Sequence, residues 1–146
     1  MIKKFKLFES TFFCVDLITV MFNFLRQRYK VYYAYKGTSI RFEKNKDSSF
    51  LYSEIYFKKQ KDDIIVEFSN YRGGDSQKHR FIIDYIIDNI KKIVKIEHKH
   101  HERGVEYVIY DTIKIKLFDY DKVVAMFENL TYDDIIYYYD VNKFNI

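Results

Sequence analysis

The sequence predicts an α+β fold: one antiparallel sheet covered by two long amphipathic helices, in the order β-α-ββββ-α-βββ-αα within a single domain spanning residues 1–146. Three observations carry this expectation. Apolar residues recur with helical spacing in two long segments, and they alternate with polar residues in the segments between. The strand-like segments follow one another through short turn-like groups, which favours antiparallel neighbours. With 146 residues, 48% of them apolar, the chain can bury one core, and no Pro/Gly/Ser-rich stretch divides it.

The opening KKFKLF reads as a strand. From Thr11 to Lys30, the polar positions Asp16, Thr19, Asn23, Arg26, Gln27 and Lys30 recur every three or four residues among large apolar side chains. This is a helix with one narrow wet stripe, which Ser10 or Thr11 can cap. The period then changes to two. VYYAYK, SIRFEK, FLYSEIYFKK and IIVEFSN are separated by Lys36-Gly37-Thr38, Asn45-Lys46-Asp47-Ser48 and Lys61-Asp62-Asp63, and together they predict a four-strand meander.

A second helix is expected from Ser76 to Lys95, with Ile82, Ile83, Ile86, Ile87, Ile90, Ile93 and Val94 on its apolar face. KIEHKHHE, VEYVIYD and IKIKLF supply three further strands. Asp119 and Thr131 then read as N-caps of two short helices, YDKVVAMFENL and YDDIIYYYDV.

Composition narrows the class of protein. Aromatic residues make up 20% of the chain, with 15 Tyr and 14 Phe and no Trp or Pro, so rings and Ile must fill the core. The abundance of Ile, Lys, Tyr, Phe and Asn is what AT-rich codons produce, and it points to a phage, a virus or an AT-rich bacterium. A lone cysteine, Cys14, lies in an apolar run and suits a reducing, cytoplasmic location. The N-terminal apolar run is interrupted by Glu9 and Asp16 and is too short to cross a bilayer, so no membrane association is expected. Charge is divided unevenly. From Leu117 onward six acids face Lys122 and Lys143, a net of −4, and residues 1–116 carry +8. Such polarity suits a charged partner or a homodimeric contact, for example through the acidic tail.

Three constellations are candidates for chemistry. Arg72, Gly73, Gly74, Ser76 and Lys78 precede or open the second helix and suit an anion, although neither Walker nor dinucleotide-loop spacing is present. The plainer reading is a flexible joint capped by Asp75 or Ser76. His98 and His100 alternate along one strand and would face the same side about 7 Å apart, given an advance of about 3.3 Å per residue. A metal would require further ligands, from His79 or a carboxylate, and the plainer reading is a polar hairpin rim.

Lys58, Lys59, Lys61, Lys114 and Lys116, interleaved with tyrosines such as Tyr35, Tyr52 and Tyr56, could hold single-stranded nucleic acid, but the RRM signature is absent. No nucleophile or metallohydrolase motif occurs, and no cofactor is expected. The leading expectation is therefore a non-enzymatic interaction protein, a phage- or virus-encoded inhibitor or accessory factor that binds a host macromolecule, with a protein as partner. The alternatives are a nucleic-acid-binding module and, third, a metal-dependent hydrolase.

Overall fold

A computed structural model describes residues 14–43, 53–71, 76–103, 108–131 and 133–134. Within them the chain runs α1 (Val15–Leu25), β1 (Val31–Ala34), β2 (Ser39–Phe42), β3 (Glu54–Gln60), β4 (Asp63–Tyr71), α2 (Ser76–Ile93), β5 (Glu97–Arg103), β6 (Val108–Lys116) and α3 (Tyr120–Asn129). Single 3₁₀ turns stand at Tyr35–Gly37 and Leu117–Asp119. The expected opening strand and most of the last expected helix lie outside the described residues.

All six strands pair antiparallel, in the order β1-β2-β3-β4-β6-β5. The first four form the expected meander, because each apolar/polar alternation puts one set of side chains on the buried face and so fixes the register. β5 runs parallel to β4 two positions away, and α2 makes the crossover that such a connection requires. β6 then folds back between them. The two strands expected over 105–111 and 113–118 are thus one continuous strand. Asp111 and Thr112, at the junction of the two expected segments, both hold ladder positions opposite β4 and β5.

The sheet has two unlike faces. On one, Ile40, Phe42, Ile55, Phe57, Ile64, Val66, Phe68, Ile113 and Ile115 meet Leu17, Met21, Phe24 and Leu25 of α1, Ile82, Ile83, Ile86 and Ile90 of α2, and Val123 and Phe127 of α3. Each such side chain, once fully buried, contributes about 1.5–3 kcal/mol, so this face holds most of the stabilising area. Ile93 departs from the expected helix face and is exposed, whereas Tyr85 is buried. On the opposite face Arg41, Glu54, Tyr56, Lys58, Glu67, Ser69, Tyr110, Thr112 and Lys114 share a side, as their register requires.

α1 starts without a side-chain cap at Cys14, and the expected caps Ser10 and Thr11 lie outside the described residues. The Tyr120 hydroxyl of α3 instead accepts the Leu17 N–H at 3.1 Å, and burial pushes the phenol up to about 12. Thr131 and Asp134 do form a cap: the Asp134 carboxylate accepts from the Thr131 N–H at 2.9 Å and from its hydroxyl at 3.0 Å. No described helix is long and apolar enough to cross a membrane.

Candidate functional site

His98 and His100 do share a face of β5, and a carboxylate does converge on them, but it is one the sequence reading passed over. Asp111, opposite His100 on β6, is fully buried on the helix-covered side. Its Oδ1 accepts from His98 Nε2 at 2.7 Å and from His100 Nδ1 at 2.8 Å, while its Oδ2 takes the Arg80 guanidinium from α2. A carboxylate only accepts, so His98 carries a proton on Nε2 and His100 on Nδ1. Arg80 is further bound to Asp84 and, at 3.2 Å, to Asn70. Burial would raise the Asp111 carboxyl, but the hydrogen bonds from Arg80, His98 and His100 outweigh it and hold the group below its ordinary range.

This geometry ties α2 to β5 and β6. The imidazole nitrogens point at one oxygen at hydrogen-bond distance, and a fixed cation occupies the other oxygen. Among the described residues no group of three metal-ligating side chains forms a cation site.

His79, the third histidine considered for a metal, goes elsewhere. Its Nδ1 shares a 2.6 Å hydrogen bond with the Ser53 hydroxyl, and its ring stacks on Phe42 with centroids 4.2 Å apart. Ser53 is fully buried, so this Ser–His pair presents no accessible nucleophile. Cys14 is equally withdrawn: burial pushes its thiol up to about 12. The glycine loop, with Arg72, Gly73 and Gly74, lies outside the described residues. Ser76 and Lys78 begin α2, and Arg80, which flanks the proposed anion cradle, is engaged by carboxylates.

The five lysines of the proposed nucleic-acid surface do not share one surface. Lys59 belongs to the helix-covered side, and Lys61 occupies the β3–β4 turn with a left-handed φ of 56°. Lys58, Lys114 and Lys116 do lie on the open face, but each meets an acid: Glu67 at 2.9 Å, Glu97 at 3.4 Å and Asp63 at 3.0 Å. Arg41 pairs with Glu54 at 3.0 Å. The open face is a mixed-charge lattice of cross-strand pairs, not a basic platform.

Within that lattice lies a groove lined by Tyr35, Glu54, Tyr56, Glu67, Ser69 and Tyr110. Strands β3, β4 and β6 supply its floor, because positions 54, 56, 67, 69 and 110 all project from the open side. Tyr35 reaches it from the β1–β2 hairpin. There the Thr38 N–H donates to the Tyr35 carbonyl at 3.2 Å, and Lys36 and Gly37 take positive φ of 56° and 85°. Mirror-image hairpin turns demand that pair. Tyr35 adopts φ 50° as well, a left-handed backbone that costs a residue with a Cβ about 1–2 kcal/mol.

The Tyr35 ring meets Tyr56 edge-on at 6.3 Å, and the Arg41 guanidinium sits 4.6 Å from its centroid. Ser39, directly opposite Tyr56, is fully buried on this side, and its hydroxyl has no hydrogen-bond partner among the described residues. Glu54, Glu67 and Tyr110 drew no notice in the sequence. The signal that could have found them is the unbroken alternation Tyr110-Thr112-Lys114, which places Tyr110 in register with Ser69.

Comparison of the chain with protein-family models, with curated proteins and with solved structures yields no match.

Proposed function

We propose that the chain is a non-enzymatic interaction protein that holds a protein partner on the open face of its sheet. The observation that supports this most is the groove, where three tyrosines from three separate elements surround two glutamates. Tyrosine combines large, rigid contact area with a polar tip, the combination that concentrates binding energy at protein interfaces. A second line of support is that other charged groups among the described residues are paired within the chain. Asp111 is bound by Arg80 and two imidazoles, and Lys114 and Lys116 meet Glu97 and Asp63. The AT-rich composition supports a phage or viral source, with an inhibitor or accessory role toward a host protein.

The test is affinity capture from extracts of the source cells with three proteins: the unaltered chain, a Tyr35→Ala/Tyr110→Ala variant, and a Lys91→Ala control on the exposed side of α2. A partner retained by the first and third and lost from the second is the expected result. An identical set of retained proteins for all three would remove the open face as the docking surface.

A further inference from the structure

The groove already displays, in miniature, the chemistry of the group it is built to receive. Arg41 lays its guanidinium 4.6 Å from the Tyr35 ring centroid and bonds the Glu54 carboxylate through Nε at 3.0 Å. Tyrosine face and carboxylate thus act together on one planar cation. The same pair of components recurs along the groove, where Tyr56 and Tyr110 flank Glu67 and Ser69, one face of Tyr110 being stacked on His101 with centroids 5.1 Å apart and the other left for a guest.

Among the described residues the Glu67 carboxylate pairs with Lys58, at 2.9 Å, with both side chains about half exposed. Exposed pairs of this kind contribute only about 0.2–1 kcal/mol. Glu67 is therefore available to a better-fitting cation at small cost, whereas Glu54, in a largely buried pair with Arg41, is not. The hairpin adds a second, independent observation. Tyr35 is kept in a left-handed backbone that the turn itself does not require, and this projects its ring over the groove while leaving it mostly exposed. Strain retained at a surface aromatic is a mark of a binding position.

We infer that the groove between Tyr56, Tyr110 and Glu67 is a seat for an arginine side chain of the partner protein, stacked on tyrosine and paired with Glu67 as Arg41 is with Tyr35 and Glu54. Arginine is favoured over lysine because a planar guanidinium can stack and bond a carboxylate together, while an ammonium is a strongly hydrated point charge. Charge complementarity is local. The chain as a whole carries +4, so general attraction does not bring a basic peptide to it, and Glu67 with the tyrosine faces does. The inference rests on the open face being the docking surface and names what docks there.

The experiment uses the full chain, ¹⁵N-labelled, titrated with three acetylated Gly/Ser heptapeptides that carry at their centre arginine, lysine or citrulline, the uncharged isostere of arginine. Saturable shifts confined to residues 54–56, 67–69 and 110, at least fivefold tighter for arginine than for citrulline, are expected. Glu67→Gln should weaken arginine binding about tenfold, and Tyr110→Phe should leave it within twofold. Lys58→Gln, which removes the competing cation, should tighten it about two- to fivefold, in line with the weakness of an exposed pair. Equal affinity for arginine and citrulline, or shifts lying elsewhere, would overturn the arginine seat. If captured partners are still lost on Tyr35→Ala/Tyr110→Ala, the docking face stands without it. Loss of neither removes both.

Discussion

Asp111 is a buried carboxylate in the middle of a strand, a position a sequence reading treats as a boundary because Asp is a turn former. What makes it tolerable is Arg80, 31 residues earlier, together with the two imidazoles of the neighbouring strand. Removing one partner of such a buried group costs about 3–5 kcal/mol, since the remaining charge is left uncompensated. Asp111→Asn is expected to lose stability of that order at pH 7, read as a lower urea midpoint. The pH dependence has a definite sign. The folded carboxyl lies below its ordinary value, so the unfolded chain, with a carboxyl near ~3.9, binds the proton first as pH falls. The stabilisation is fully present well above that value and is lost as pH drops through the folded one. Urea midpoints of the two proteins measured from pH 7 to pH 2 should therefore converge on the acid side, and a constant gap would contradict the assignment.

Among the elements, the β1–β2 hairpin and β6 show opposite lessons. The hairpin was legible: alternation on both sides of Lys36-Gly37-Thr38 marks two strands and a turn. Its strain was not, because the left-handed backbone of Tyr35 and Lys36 depends on how the strands twist into register. Lys36 bears a Cβ in a position that suits Asn or Gly. Lys36→Gly should raise stability by up to about 1 kcal/mol, less what glycine adds to the freedom of the unfolded chain. The readout is a higher denaturant midpoint at unchanged slope; a lower midpoint would mean that the turn is not under strain. β6 is one strand where the sequence predicts two segments. All nine of its residues pair with β4, and the carboxylate in its middle meets the Arg80 guanidinium. α2 was plain from the spacing of its isoleucines, except Ile93, which falls on the exposed side of the last turn while Ile90 and Val94 stay in the core.

Among the described residues, the sheet carries its helices on one side and, on the other, tyrosines and paired charges around the buried Ser39, Ile65 and Val108. A count of lysines suggested a basic platform, but their arrangement removes it: Lys59 and Lys61 leave the open face, and the remaining three meet carboxylates. Short single-stranded RNA or DNA should accordingly bind weakly and with a shallow salt slope. Tight binding at 50 mM salt that falls steeply by 200 mM, the signature of counterion release, would reverse this and restore the nucleic-acid reading.

The amino-acid order by itself settled the fold class, the meander and the long helix α2, because helix and strand periods are local properties that each segment carries whatever its neighbours do. Only the tertiary structure decided which ionisable groups meet and which are left for a partner. Arg80 with Asp111, Lys58 with Glu67, and Tyr35 with Tyr56 and Arg41 are brought together by strand register and helix placement. Those distances belong to no single segment.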